Sequence, residues 1–221
     1  MAALRNIPAA HRSIVEGRWE PFMGRTLNGR TLGILGYGRH GKNVARIGAA
    51  FGMNVVAWKR DGTPSEDDGG VRRLSLDDLL AESDVVSIHL KLSAESRGLL
   101  DAGKLGRMKE GSVLINTSRG AIVDEAALVD ALQTGPLSAA GLDVFTEEPL
   151  PPDSPLRGLD NVVLTPHLGW TVEEVLVEFA DIAAEQLGEY LAGTLDRREL
   201  LDAAVIPRDG ALGGLSKSQS V

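Results

Sequence analysis

The stretch Thr31-Leu32-Gly33-Ile34-Leu35-Gly36-Tyr37-Gly38-Arg39-His40-Gly41 decides the fold of this chain. Thr31–Leu35 is a short β run, and residues 39–51 suit a helix. Between them, Gly36 and Gly38 give a tight turn and let backbone approach a pyrophosphate, while Gly41 lets the helix pack closely on the strand. The free N–H groups and dipole of that helix favour an anion. Arg39 and His40 stand inside the same loop and count with the three glycines as candidate cofactor-binding residues. A glycine-rich turn without a nucleotide has the same six-residue pattern. The placement between a strand and a helix is what points to a dinucleotide.

Strand-like and helix-like segments alternate outward from this loop. Residues 53–58, 84–90, 112–116, 139–144 and 162–164 read as further β runs, and 125–133 as a helix. Ser75, with Asp78 three residues on, gives a capping-box-like start to a short helix. Alternation of this size predicts an α/β fold: a doubly wound, Rossmann-like parallel sheet with helices on both faces. Leu4, Ile7, His11 and Ile14 are spaced like one face of a helix that Pro8 either starts or kinks. Thr171-Val172-Glu173-Glu174 reads as a capping box opening a long amphipathic helix, with Val175, Phe179, Ile182, Leu187 and Tyr190 on one side and an end near Gly193. After Pro207 the composition turns to Gly and Ser, which predicts a disordered tail.

Composition removes several classes of function. Net charge is -8, against a nucleic-acid or anionic-membrane surface, which needs clustered Lys and Arg. There is no Cys, so disulfides, thiol catalysis and thiolate metal sites are excluded, and a reducing, cytoplasmic compartment is expected. Four His without an HExxH pattern argue against zinc.

Three residues beyond the glycine loop carry chemistry, in the order Arg119, Glu148, His167. Each stands beside Gly or Pro after a β-like run: Ser118-Arg119-Gly120, Glu147-Glu148-Pro149, Thr165-Pro166-His167. A cofactor loop followed by a cation, a carboxylate and an imidazole is equipment for moving a hydride and a proton at a carbonyl. Taken singly, each of the three also fits an ordinary surface loop.

The second strand of such a fold ends in an acid for the ribose 2′-hydroxyl about 20 residues past the glycines. Here Lys59 and Arg60 follow Trp58, and Asp61 serves only if the strand runs long. Two cations suit a 2′-phosphate better, so NADP(H) is slightly favoured over NAD(H). An exposed loop of solvated charges is the alternative.

Over about residues 4–193 the chain resembles the D-isomer-specific 2-hydroxyacid dehydrogenases. The resemblance rests on residues 32–38, Phe51-Gly52-Met53, Asp84-Val85-Val86-Ser87-Ile88-His89-Leu90, Met108-Lys109-Glu110-Gly111, Asn116-Thr117-Ser118-Arg119-Gly120, Gly141-Leu142-Asp143-Val144-Phe145, Glu148-Pro149 and Thr165-Pro166-His167-Leu168-Gly169. It implies that Arg119 orients the carboxylate of a 2-keto acid and polarises its carbonyl. It makes His167 the acid in reduction and the base in oxidation, with Glu148 fixing its tautomer. Asp143 would accept a hydrogen bond from the nicotinamide carboxamide, beside Thr117 and Ser118. His89 is given no catalytic role.

The resemblance also implies two lobes and a homodimer. On that pattern residues 1–20 are a remnant inter-domain helix, 21–170 the dinucleotide-binding domain, 171–193 a helix returning toward a substrate lobe, and 194–221 a tail. Almost nothing precedes the fingerprint, so a truncated enzyme with impaired catalysis is expected. His40, where the family commonly has Ile or Leu, and Lys91, where Pro is common, depart from the pattern. The expected partner is a small 2-keto or 2-hydroxy acid. A catalytically idle NAD(P)-binding sensor or interaction module is the competing reading; a methyltransferase would not need the Arg, Glu and His series.

Overall fold

A computed structural model of the chain describes residues 1–61, 65–66 and 70–195. The chain divides into two compact units after Gly169. In the first, helix α1 (Ile7–Val15) precedes β1 (Thr31–Leu35), α2 (Arg39–Ala50) and β2 (Asn54–Trp58). There follow β3 (Ser65–Glu66), β4 (Arg72–Leu74), α3 (Leu76–Glu82), β5 (Val85–Ile88) and α4 (Ala102–Leu105). The unit closes with β6 (Ser112–Asn116), α5 (Glu125–Gln133), β7 (Leu137–Leu142) and β8 (Val162–Leu164). The second unit contains α6 (Glu173–Ala192), none of whose residues is buried. Among the described residues no helix is long and apolar enough to cross a membrane.

The strands form one sheet in the order β3-β4-β2-β1-β5-β6-β7-β8. All pairings are parallel except the two-residue β3 against β4. The doubly wound parallel sheet expected from the alternation is present, with this antiparallel edge added. Its two faces follow the period of two along each strand. Leu35, Val56, Leu74, Ile88 and Leu114 face one layer with Leu79, Leu80, Leu105 and Leu128. Leu32, Ile34, Ala57, Val85 and Val113 face the other with Ala45 of α2 and Ala3. Both faces are apolar because parallel sheets are covered on both sides.

Local chemistry sets most boundaries. The Ser75 hydroxyl accepts from the Asp78 N–H at 3.1 Å and starts α3 as expected. Asp124 accepts from the Ala127 N–H at 3.1 Å and starts α5. Pro8 lies in the first turn of α1, so it starts that helix, and Leu4 falls outside it. The shared apolar face is not buried there: Ile7 is 51 % and Ile14 53 % exposed. The helix expected to open from a cap at Thr171 starts one residue later. Val172 is the N-cap: its carbonyl accepts the first helical bond, from the Leu176 N–H at 3.0 Å, and its apolar side chain has no acceptor to offer a free N–H. Gly193, at φ 73°, ends the helix where expected. Strand β7 lies two residues earlier than its apolar run suggested, since its parallel ladders to β6 and β8 both stop at Leu142. The expected disordered tail lies outside the described residues.

The N-terminal end of the sheet is tied by Asp84. Its carboxylate accepts from the Thr31 N–H at 2.9 Å, from Lys109 at 2.8 Å and from Arg30 at 3.3 Å. Burial alone would raise this carboxyl. The Lys109 hydrogen bond, the Thr31 N–H and the charges of Lys109 and Arg30 outweigh it and hold the group below the ordinary aspartate value. A carboxyl depressed by folding adds stability above its unfolded pKa and loses it as pH falls through the lower folded one. Asp84→Asn is therefore expected to cost about 2 kcal/mol at neutral pH. Its deficit in urea midpoint should shrink on acidification below about pH 4. A deficit that does not change with pH would contradict this role.

Candidate active site

Strand order reverses between β1 and β5: β2 and β4 lie on one side, β6, β7 and β8 on the other. Open α/β sheets bind ligands in the crevice beyond the carboxyl ends of the strands at such a point. Gly36, Arg119, Glu148 and His167 all stand on loops that follow β1, β6, β7 and β8 at these ends. Gly36 has φ 100°, and a Cβ there would lie 2.5 Å from the His89 carbonyl oxygen. A Cβ on Gly41 would lie 2.2 Å from the Gly36 carbonyl oxygen, so the turn and the helix that follows it demand both glycines. Gly38 is the N-cap of α2, and a Cβ there would meet nothing within 4 Å. Its missing side chain serves no internal packing and leaves open space over the start of the helix. His40 follows Arg39 in the first turn. Burial, then the charge of His40, holds His89 below the ordinary histidine value. The His89 Nε2 lies 2.9 Å from the Ser87 hydroxyl.

Buried Asn116, at the end of β6, shapes the next loop. Its Nδ2 donates to the Arg119 carbonyl at 3.0 Å, and its Oδ1 accepts from the Ser118 N–H at 3.1 Å. The Ser118 hydroxyl donates to the Ile88 carbonyl at 3.1 Å, so the loop is fastened to β5 as well. Thr117 and Arg119 are exposed, and the Arg119 guanidinium donates to the Ser118 carbonyl at 2.6 Å. Gly120 packs its Cα directly against the backbone of Phe145 and Thr146. That contact brings the arginine loop to the glutamate loop.

Glu148 divides its two oxygens between scaffold and partner. Oε1 accepts from the Phe145 N–H at 2.9 Å, and Oε2 lies 2.8 Å from His167 Nδ1. The Glu148–Pro149 peptide is cis. Burial pushes the Glu148 carboxyl up. The His167 hydrogen bond, the Phe145 N–H and the charges of His167 and Arg119 pull it further down, below the ordinary glutamate value. The three residues expected to act together are thus in one place. His167 has φ 56° in the left-handed region, a conformation that costs a non-glycine residue of order 1 kcal/mol and that surrounding bonds must hold. Glu148, Leu150, Leu164 and His167 border an open concavity of roughly 570 Å³.

Asp143 is buried at the end of β7. Its Oδ1 accepts from the Thr165 hydroxyl at 2.5 Å and the Leu168 N–H at 2.8 Å, and its Oδ2 from the Gly169 N–H at 2.8 Å. On the other side of the switch point, β2 ends at Trp58, so the strand does not run long enough to make Asp61 its terminal acid. Lys59 pairs with Asp61 at 3.5 Å, and Arg60 is exposed in the turn beyond. Sequence reasoning missed Arg73, on β4, whose guanidinium carbon lies 3.9 Å from the centre of the Tyr37 ring. No local pattern marks it, because β4 takes its place by pairing with β2. Asn116, which opens the motif that carries Arg119, was given no role of its own; its local mark is a polar residue closing an apolar strand.

The family pattern of the D-isomer specific 2-hydroxyacid dehydrogenase NAD binding domain matches residues 1–169, and the chain belongs to that family. It is 45 % identical over 203 residues to a glyoxylate reductase from Aeropyrum pernix, covering 87 % of this chain and 61 % of the relative. A D-isomer specific 2-hydroxyacid dehydrogenase from Xanthobacter autotrophicus Py2, crystallised with NADPH and MES, superposes with a TM-score of 0.66 at 42 % identity. That match covers 76 % of this chain and 53 % of the other. D-lactate dehydrogenase from Aquifex aeolicus, complexed with NAD and lactic acid, gives 0.77 at 30 % identity, covering 87 % and 63 %. The chain therefore spans less than two thirds of each of these three proteins.

Proposed function

We propose that this chain binds a nicotinamide dinucleotide and takes part in hydride transfer between it and C2 of a small 2-keto or D-2-hydroxy acid. The observation that carries the reading is the Glu148–His167 pair at 2.8 Å, with Arg119 close enough for its charge to bear on Glu148. Glutamate on Nδ1 leaves Nε2 of His167 to deal with substrate. In reduction Nε2 gives its proton to the carbonyl oxygen; in oxidation it takes the hydroxyl proton back. Arg119 would turn its guanidinium from the Ser118 carbonyl to the substrate carboxylate, holding the acid in place and stabilising charge on the neighbouring oxygen. The dinucleotide supplies or accepts the hydride. Arg39, His40 and the α2 N-terminus over Gly38 would take the pyrophosphate, and Thr117, Ser118 and Asp143 would stand near the nicotinamide.

Lys59 and Arg60 support NADP(H) over NAD(H), with Arg73 next to them on the neighbouring strand; the pairing of Lys59 with Asp61 tempers the preference. NADPH is expected to bind more tightly than NADH by fluorescence titration. Lys59→Ala should narrow the ratio by about tenfold, the worth of one charge-assisted contact. Tighter NADH binding with an unchanged ratio would reverse the preference. The same titration, followed by oxidation assays with glyoxylate, hydroxypyruvate and phenylpyruvate, tests the whole reading. Turnover lost on His167→Ala supports the dehydrogenase; tight binding without turnover supports the NAD(P)-binding module. The cysteine-free composition supports a cytoplasmic setting. Exposed Trp19 and Met23, at 88 % and 92 %, support a homodimer, which sedimentation would reveal.

A further inference from the structure

Asp143 is 5 % exposed, and three of the roughly four acceptor positions of a carboxylate are filled by its own chain. All three donors flank His167: the Thr165 hydroxyl before it, and the Leu168 and Gly169 N–H groups after it. The His167 N–H itself donates to the Thr165 carbonyl at 3.1 Å. A Cβ at Gly169 would come within 3.2 Å of Asp143 Oδ2, so glycine suits the close approach of that N–H. The arrangement is a carboxylate gripping both ends of a five-residue turn whose middle residue has a left-handed backbone. Such a conformation persists only when its surroundings over-determine it.

We propose that Asp143 is a positioning residue for His167: acting through Thr165, Leu168 and Gly169, its carboxylate holds the turn so that Nδ1 meets Glu148. Burial pushes this carboxyl up, and the Thr165 hydroxyl, the two N–H groups and the charge of His167 bring it below the ordinary aspartate value. The clamp is therefore charged wherever the protein is folded near neutral pH. The role of the clamp in catalysis rests on the reading of His167 as the acid–base group; the clamp itself does not.

The test is long-range ¹H–¹⁵N spectroscopy of the imidazoles in the full chain, with the His167 signals assigned by His167→Gln. In the parent protein at alkaline pH, His167 should show one tautomer, protonated at Nδ1 toward Glu148. Asp143→Asn places an amide group against donors that need an acceptor. In the dinucleotide-free chain it should average the two His167 tautomers, a readout that a role in holding the cofactor alone would not move. Thr165→Val removes one donor, leaves the carboxylate untouched and should shift the same signals less, which keeps the test open if Asp143→Asn does not fold. Unchanged His167 signals in the variants that fold would overturn the proposal. So would an intact tautomer combined with a loss of NADH affinity of about tenfold or more, which would assign Asp143 to the cofactor instead. If the parent chain binds neither dinucleotide, the dehydrogenase reading fails while the spectra still decide the clamp.

Discussion

His167→Ala is expected to slow NAD(P)H oxidation by a 2-keto acid about 10²- to 10⁴-fold, the contribution of a positioned acid–base group. Dinucleotide affinity should not change. The loss falls on the rate because the imidazole lies beyond the carboxyl end of β8, away from the glycine turn after β1. Its Nδ1 is committed to Glu148 at 2.8 Å, so no second nitrogen of the same ring can replace the reacting one. Glu148→Gln keeps the shape but offers an amide whose nitrogen cannot accept, so an intermediate loss is expected. Because the Glu148 carboxyl is held below its ordinary value, its contribution to stability is present above the unfolded glutamate pKa, and acid removes it as pH falls through the folded one. The rate should therefore not fall near pH 6 on account of Glu148. Single-turnover measurements extend the comparison to slow reactions, and a His167→Ala rate equal to that of the parent would refute the assignment.

Gly120→Ala is expected to be the most damaging single methyl addition in the site. Its Cβ would stand 1.9 Å from the Phe145 carbonyl carbon and 2.4 Å from the Thr146 nitrogen. Both are backbone atoms, so no rotamer change relieves the overlap and one of the two loops must move. A cost of about 3 kcal/mol or more is expected, at the upper end for overpacking. Movement of either loop also separates Arg119 from Glu148, so activity should fall further than the folded fraction explains. Gly158→Ala is the control, since a Cβ there meets nothing within 4 Å. Equal unfolding midpoints for the two variants would show that the contact is not required.

Much of the sheet could be read from the chain because buried parallel strands are plain apolar runs, and β1, β6 and β8 begin and end where those runs do. The side beyond β2 was harder. Strand β4 is Arg72-Arg73-Leu74, with two charges in three residues, and its strand character comes from pairing with β2, which no local pattern reveals. Thr171 shows the opposite error: a capping sequence is present, but the backbone starts the helix one residue later. In the site, Arg119, Glu148 and His167 were visible because reactive side chains beside Gly and Pro at strand ends form a pattern. The supports were not. That Asn116 fastens Arg119, or that Asp143 spans to Thr165 and Gly169, depends on which loops become neighbours across the sheet.

The ion cluster of Asp84 with Arg30 and Lys109 sits at the pole of the sheet opposite the loops of Arg119, Glu148 and His167. The charge cluster and the proposed acid–base site are thus housed at separate ends of one scaffold. Laboratory evolution of the reactive rim could therefore be buffered by reinforcing the far pole, which leaves the geometry under selection untouched.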